Sequence, residues 1–360
     1  MNEVPYSKLP DHAFWRRSVE AIHPTSVDPV VSAVFKIDRE NKVATAGSCF
    51  AQHIARYLHK SGFNYYVSEP AHPIASKKLE KEFGYGEFTA RYGNIYTSRQ
   101  LLQLFERAYG EKTPQESIWK NFDGGFSDPF RPNIQPGGFD SVLELQVDRE
   151  QHFAAVRKAF ENLDVFVFTL GLTETWVSKE DGMAFPLCPG VVAGTFDSEK
   201  FCFTNLSVAD VVSDLSCFIH KLRGVNPTSK VILTVSPVPL IATMEDRHVL
   251  SSTTYSKSVL RVAADEVSRA FENVAYFPSY EIITGSFSRG RYFASDCRSV
   301  LENGVKHVME LFLKHYTDAE ADQPPEVGPE EISRFDAYLA KMDELVEVNC
   351  DEVFLDDLPR

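Results

Sequence analysis

Apolar runs alternate with amphipathic segments along most of the chain. Short runs rich in β-branched and aromatic residues predict strands at 42–47, 63–67, 164–171, 230–237 and 273–277. Apolar positions three or four residues apart predict helices at 50–61, 98–109, 208–223, 256–272 and 300–316. The runs DVFVFTLG and KVILTVSP are apolar almost throughout, which is typical of central strands covered on both faces. The pattern therefore predicts a three-layer α/β sandwich around a parallel sheet.

Two regions depart from this alternation. Residues from about 68 to 150 contain one predicted helix, followed by a section rich in glycine, proline and aromatic residues, and they are interpreted as an insertion within a domain spanning 1–317. Residues 318–360 contain 14 acidic and 3 basic side chains. This acidic C-terminal extension is predicted to form one helix at 331–348, and it would either bind a basic protein partner or remain a solvated tail.

Composition excludes several classes of protein. The 360 residues are 43% hydrophobic and carry a net charge of −14, which argues against general binding to nucleic acid. Neither a signal peptide nor an apolar run long enough to span a membrane is recognisable, so a cytoplasmic location is expected. Six cysteines without a C-x-x-C pair indicate neither a disulfide framework nor a metal site, and no bound cofactor is expected.

The segment Gly47-Ser48-Cys49-Phe50-Ala51 stands between the first predicted strand and the first predicted helix. Ligands of open α/β sheets bind beyond the carboxyl ends of the strands, so this turn is a suitable place for a nucleophile. A helix N-terminus there would lower the pKa of a cysteine and could stabilise an oxyanion. The alternative is a tight turn with a helix cap, in which Cys49 is a small buried residue.

Two further loops carry candidate residues. The segment 169–176 includes the carboxyl end of the third predicted strand and the loop after it, where Gly171 N–H and the Thr173 hydroxyl could face the same ligand atom as Cys49 if the two strands are neighbours. The alternative for Thr173 and Glu174 is the start of a helix. The loop Asp296-Cys297-Arg298-Ser299 precedes the last helix, where Asp296 could orient a base or simply cap the helix.

Together these segments resemble the GSCFA-domain proteins of the SGNH/GDSL hydrolase-like superfamily. The resemblance extends through the segments 93–96, 234–238, 256–261 and 276–281 and covers most of residues 42–315. It implies an SGNH-hydrolase-like fold with a flavodoxin-like parallel sheet. It also implies Cys49 as the nucleophile, with Ser48 as the alternative, and an oxyanion site near Gly47, Gly93 or Asn94. The family's third motif resembles the segment 171–174, which includes Glu174.

The last motif of the superfamily is Asp-x-x-His, and here the sequence departs from it. Asp296 keeps the aspartate position, but Ser299 stands where the histidine is expected. His307 lies eight residues farther on, roughly 12 Å along a helix, so it cannot simply replace the missing base. His53, one helical turn after Cys49, is the nearest other imidazole and a candidate base. A cysteine nucleophile depends less on a base than a serine does, and Arg298 could support its thiolate or hold an anionic group of the substrate.

The resemblance implies an esterase or acyltransferase acting on a glycan, glycolipid or other hydroxyl-bearing molecule, with acetyl-coenzyme A as a possible acyl donor. Trp119, Phe122 and Phe130 of the insertion could stack on a sugar, which favours modification of a polysaccharide precursor. The alternative is a binding or assembly protein that keeps the fold and has lost the chemistry, because the catalytic histidine is missing. Absence of a nucleotide-binding glycine motif after any predicted strand disfavours a nucleotide-binding protein.

Overall fold

The computed structural model of the protein describes residues 4–317 and 354–355. In this part of the chain, four parallel strands form the main sheet in the order β1-β4-β8-β9. Their bounds are β1 Val43–Gly47, β4 Val165–Leu170, β8 Lys230–Val235 and β9 Val274–Tyr276. Helices on both faces complete a three-layer α/β sandwich, which confirms the predicted fold class.

The helices are α1 Ala51–Lys60, α2 Lys77–Glu82, α3 Ser98–Ala108, α4 Val142–Asn162, α5 Val208–Val225, α6 Val249–Ala270, α7 Ser279–Thr284 and α8 Glu302–Tyr316. Among the described residues, two small antiparallel sheets lie outside the main one. The first pairs β2 Trp119–Lys120 with β3 Phe126–Ser127, and the second has the order β6-β5-β7, formed by β5 Glu174–Ser178, β6 Ala184–Phe185 and β7 Phe201–Asn205. Within the described residues, no helix is long and apolar enough to cross a membrane.

Alternate residues of the central strands pack into two separate cores. In β4, Phe166 and Phe168 enter a core formed with α3, α4, α5 and α6. Val165 and Val167 enter a second core formed with α1, α7 and α8. Successive residues of a strand point to opposite faces of the sheet, and a central parallel strand is covered on both faces. It therefore requires apolar residues at nearly every position. This explains why the runs at 164–171 and 230–237 were readable as strands.

One predicted strand and several boundaries differ from the sequence pattern. The segment 63–67 contributes only an isolated parallel bridge, Val43 to Tyr65, beside β1. The prediction of a regular strand there is wrong, because the chain turns away after one pairing and Ser68 bonds instead to Thr89. Helix α6 begins at Val249, about two turns before the predicted start at 256.

The insertion contains more regular structure than predicted. Helix α4, 21 residues long, begins inside it, capped by Ser141, whose hydroxyl accepts a hydrogen bond from Glu144 N. The segment from Glu174 continues as strand β5 and not as a helix. The predicted helix at 331–348 in the acidic extension lies outside the described residues.

Candidate active site

The turn after β1 is fixed by close contact with β4. Gly47 has φ of +136°, and a Cβ atom there would lie 2.3 Å from the carbonyl oxygen of Thr169. Only glycine tolerates both the dihedral angle and the contact. The next residue, Ser48, donates its backbone N–H to the same Thr169 oxygen at 3.0 Å. The strand therefore ends in a turn whose backbone path is set by its neighbour β4.

Cys49 follows this turn and lies on the wall of a large cavity. It is only 5% exposed, and α1 begins two residues later at Ala51. The N–H groups of Ala51 and Gln52 donate to the carbonyls of Ser48 and Cys49 at 2.8 and 3.1 Å. These two donors therefore close the turn and do not serve a ligand. Ser48 is buried away from the cavity lining, and its hydroxyl has no hydrogen-bond partner.

The segment that carries Gly93 and Asn94 is held against the turn. Ile95 N donates to Gly47 O at 2.8 Å, and the Tyr96 carbonyl accepts from Gly171 N at 2.9 Å. This short stretch therefore bridges the ends of β1 and β4. Gly93 and Asn94 line the same cavity as Cys49, and a Cβ at Gly93 would meet nothing within 4 Å. The geometry thus places Gly93 and Asn94 at the same cavity as Cys49, as the sequence predicted.

The loop after β4 is a structural part of the fold. Strands β1 and β4 are neighbours, as the predicted sheet order requires, but Gly171 N–H is used by the Tyr96 carbonyl and cannot serve an oxyanion. The Thr173 hydroxyl donates to Asn205 Oδ1 at 2.6 Å, and the Glu174 carboxylate accepts from the Thr243 hydroxyl at 2.6 Å. Burial raises the pKa of Glu174. The expectation that Gly171 and Thr173 face the ligand of Cys49 is corrected by these bonds.

The cavity has a volume of about 1240 Å³ and runs between the end of β1 and the insertion. Cys49, His53, Arg56, Arg298 and Glu302 form the wall on the side of the sheet. The facing wall is built from 82–94 and 121–138 of the insertion, and Phe354 also contributes to the lining. A cavity of this size accommodates a drug-sized or sugar-sized molecule.

The loop before α8 presents its arginine and not its aspartate to the cavity. Asp296 is exposed and turned back on its own loop, where it accepts from Arg298 N, Ser299 N and the Ser299 hydroxyl, the last at 2.6 Å. The hydrogen bond from the Ser299 hydroxyl is the main cause of the lowered pKa of Asp296. Asp296 is therefore the cap of a turn and does not line the cavity, whereas Arg298 and Ser299 do.

His53 lines the cavity but has its basic nitrogen occupied. Arg56 Nη2 donates to His53 Nδ1 at 2.9 Å, since a guanidinium can only donate. Burial and the Arg56 charge lower the pKa of His53 to about 3. The neutral ring then carries its proton on Nε2, where it can donate but cannot accept. This arrangement does not support His53 as the base, because its acceptor nitrogen is already used by Arg56.

The three aromatic residues proposed as a sugar platform have different surroundings. Trp119 is buried in a small core, with its ring 5.3 Å from that of Phe185, and it does not line the cavity. Phe130 is also buried but contributes to the lining, covered on one side by the Arg107 guanidinium at 3.8 Å. Phe122 is 72% exposed at the rim. Only Phe122 offers a free ring face of the kind that stacks on a sugar.

A buried ion-pair network lies behind the part of the cavity lining formed by Arg131, which is called the floor of the cavity. The sequence analysis did not predict this network. Arg131, which lines the cavity, bonds to Asp128 at 3.2 Å and to Asp148 at 2.7 Å. Arg149 approaches Asp128 at 3.2 Å, and Arg91 approaches Asp148 at 2.9 Å. Burial alone would raise the pKa of Asp128, but the arginine charges hold it well below its ordinary value. The partners come from α4 and the preceding loops, so no short motif signals them.

A histidine and a glutamate adjoin this network. His152 on α4 is 1% exposed, and its Nδ1 lies 2.8 Å from Glu69 Oε2. Glu69 also accepts from Arg91 N at 2.8 Å. Burial, reinforced by the charge of Arg131, lowers the pKa of His152 to about 4, so the ring is neutral near pH 7. These two residues are 83 positions apart, and their pairing has no sequence signal.

The fold and site define an α/β protein with a cysteine at a strand–helix turn on the wall of a large, partly charged cavity. The chain belongs to the GSCFA family, whose model matches residues 42–312. This confirms the family resemblance found in the sequence. No curated protein sequence matches the chain.

Solved structures of esterases are distantly similar to the chain. An acetyl esterase variant determined with an acetate ion has 10% identity and a TM-score of 0.34, with 83% of this chain and 99% of that chain covered. A carbohydrate esterase of family 3 from Talaromyces cellulolyticus has 11% identity and a TM-score of 0.33, with 82% and 99% covered. An acetyl xylan esterase from Butyrivibrio proteoclasticus has 14% identity and a TM-score of 0.28, with 76% and 63% covered. These similarities are too distant to transfer an activity.

Proposed function

We propose that the protein is an esterase-type acyl hydrolase or acyltransferase in which Cys49 forms a thioester with the acyl group. The observation that carries the proposal is the position of Cys49: buried, at the strand–helix turn, on the wall of a cavity of about 1240 Å³. Thiols are effective nucleophiles once deprotonated. In an open α/β sheet, ligands bind beyond the carboxyl ends of the strands, and Cys49 lies just after such an end. Attack by the Cys49 sulfur breaks the bond between the acyl carbon and its leaving group, which departs with the thiol proton. Water or an acceptor hydroxyl then takes the acyl group from sulfur and returns a proton to it.

The oxyanion of the tetrahedral intermediate would be held by groups near Gly93 and Asn94. This segment is tied to the Cys49 turn by the bond from Ile95 N to Gly47 O. Preorganised donors at such a position stabilise developing negative charge without reorganisation. Gly171 is excluded from this role by its bond to Tyr96. In this proposal the oxyanion site comes from the Gly93–Asn94 segment of the insertion and not from the loop after β4.

A hydroxyl-bearing carbohydrate is the proposed acyl acceptor or ester substrate. The rim of the cavity combines the exposed Phe122 ring with the polar side chains of Asn121, Asp123, Asn133 and Gln135. Aromatic faces with planar polar groups beside them are suited to sugars. Arg298 and Arg56 on the opposite wall could hold an anionic portion of a substrate or of an acyl donor such as acetyl-coenzyme A.

Selective labelling and ester hydrolysis test the role of Cys49. Iodoacetamide is expected to alkylate Cys49 fastest among the cysteines, and Cys49→Ala should abolish hydrolysis of p-nitrophenyl acetate. Cys297→Ser is the matched control, because Cys297 is exposed on a surface turn and does not line the cavity. Full hydrolysis by Cys49→Ala would refute the proposal, and retained labelling with loss of activity in Ser48→Ala would move the nucleophile to Ser48.

A binding protein without catalytic activity is the second candidate, and the Asp296 loop favours it. The position of the superfamily histidine is occupied by Ser299, whose hydroxyl donates to Asp296. A binding protein would alkylate at Cys49 no faster than at Cys297 and would retain its ligand when Cys49 is replaced. Isothermal titration of candidate acetylated sugars against wild type and Cys49→Ala separates the two candidates, since only an enzyme converts the sugar during the titration.

A further inference from the structure

A small recess with mixed polar and apolar lining lies beside the Cys49 cavity. Its volume is about 20 Å³, and it shares Tyr92, Asn94, Phe130, Arg131 and Pro186 with the lining of the larger cavity. The recess and the cavity therefore adjoin each other along these shared residues. A void of about 10–15 Å³ accommodates one water molecule when polar partners surround it. The recess is therefore large enough for a single water.

His152 supplies an unused acceptor to this recess. Its Nδ1 is paired with Glu69, which fixes the ring proton on Nδ1 and leaves the lone pair on Nε2. His152 Nε2 is buried, has no hydrogen-bond partner, and belongs to a residue that lines the recess. Arg107 also lines the recess, and its Nε–H likewise has no partner. One water molecule could donate to His152 Nε2 and accept from Arg107 Nε.

We propose that His152, oriented by Glu69, takes the place of the histidine missing from the Asp296 loop and acts on the acyl-enzyme through the water in the recess. This step rests on the function proposed above. A water molecule in the cavity attacks the thioester carbon and releases its proton through the recess water to His152 Nε2. As the carbon–sulfur bond breaks, that proton returns to the Cys49 sulfur. The products are a carboxylic acid and the free thiol, so atoms and charge balance.

The arrangement has the parts that general-base catalysis requires. A carboxylate holds the imidazole in one tautomer, the other ring nitrogen is an acceptor, and the recess beside it has the volume of one water molecule, through which a general base can act. The ring is neutral near pH 7 and can accept a proton, whereas His53 presents only an N–H to the cavity. His152 is a positioning residue in this scheme, because it reaches the reacting atoms only through the water.

Pre-steady-state hydrolysis of p-nitrophenyl acetate tests the proposal. Wild type should release a burst of p-nitrophenolate equal to the concentration of Cys49, followed by a slower steady rate set by deacylation. His152→Gln should keep the burst and slow the steady rate about 100-fold or more. Glu69→Gln, which disturbs the ring orientation without removing it, should slow the same phase by a smaller factor. Mass spectrometry should show the acyl adduct accumulating on Cys49 in both variants.

His307→Gln is the matched control. His307 on α8 is also buried, with its Nδ1 2.8 Å from the Tyr292 hydroxyl, and it lines neither the cavity nor the recess. Deacylation at the wild-type rate in folded His152→Gln or Glu69→Gln overturns the proposal. Equal slowing in His307→Gln also overturns it, because the effect would then be structural. Absence of any acyl adduct on wild-type Cys49 refutes the proposed function itself, which distinguishes the two failures.

Discussion

Replacing Asp128 by asparagine tests whether the buried ion pairs hold the floor of the cavity in place. Asp128 is 1% exposed, and its Oδ2 accepts from the guanidinium groups of Arg131 and Arg149, each at 3.2 Å. Its Oδ1 accepts from Phe130 N at 3.0 Å. Asparagine keeps the size of the side chain, but it removes the charge and can turn an NH₂ group toward two arginines that only donate.

The expected loss of stability follows from burial. Removing one partner of a buried ion pair typically costs about 3–5 kcal/mol, because an uncompensated charge remains in a poorly solvated environment. Arg131 keeps its second partner, Asp148, at 2.7 Å. The lower part of that range, about 3 kcal/mol, is therefore expected for Asp128→Asn. Urea denaturation at pH 7 measures the free energy of unfolding, with exposed Asp246→Asn as the control expected to change it by under about 0.5 kcal/mol.

The pH dependence of the free energy of unfolding provides a second check, because the direction of the change is fixed by the lowered pKa of Asp128. The arginine charges, acting against burial, hold the pKa of Asp128 below its value in the unfolded chain. Its contribution to stability is complete above the unfolded-state pKa of about 3.9 and is lost as the pH falls toward the lower folded-state value. The difference between wild type and Asp128→Asn should be constant from pH 8 to about 5 and should shrink below about pH 4. A destabilisation of less than 1 kcal/mol at pH 7 would refute the role assigned to the network.

Two further predictions concern the Cys49 turn. Gly47→Ala should lower the melting temperature and slow alkylation of Cys49, because the new methyl group would lie 2.3 Å from Thr169 O and displace the turn; unchanged melting and alkylation would contradict this geometry. His53→Gln should leave p-nitrophenyl acetate hydrolysis within about threefold of wild type, since Arg56 already occupies the basic nitrogen of His53. A hundredfold loss of kcat with an unchanged melting temperature would restore His53 as the base.

Hydrophobic patterning predicted the sheet well because its strands bury residues on both faces. It failed to predict helix α4 and strand β5, in which polar side chains are buried. Helix α4 directs His152 into the protein on the same side as Leu145 and Val156, so the apolar period that would have revealed the helix is interrupted. Strand β5 begins with the buried Glu174 and Thr175, whose bonds to Thr243 and to the Phe185 carbonyl exist only in the folded chain.

In the candidate site, too, features set by residues adjacent in sequence were predictable, and features set by contacts between distant residues were not. The position of Cys49 followed from a strand, a turn and a helix that are adjacent in sequence. The roles given to His53 and Gly171 depended on which atoms face the cavity, and neighbouring groups decide that. Arg56 donates a hydrogen bond to the acceptor nitrogen of His53, and the Tyr96 carbonyl accepts the hydrogen bond of Gly171 N–H. Glu69 and His152, separated by 83 residues, could be paired only in three dimensions.

The two walls of the cavity have separate origins in the chain. The wall bearing Cys49 belongs to the sheet and its covering helices, whereas the facing wall is formed by the stretches 82–94 and 121–138, which lie on either side of α3 in the sequence. Substitutions, deletions or exchange of the second stretch between homologues would alter the shape and polarity of the facing wall without breaking a hydrogen bond of the main sheet. For the proposed function, ligand selectivity can therefore change independently of Cys49, and chimeras that exchange residues 121–138 but keep Asp128 and Arg131 offer a direct route to new ligand preferences.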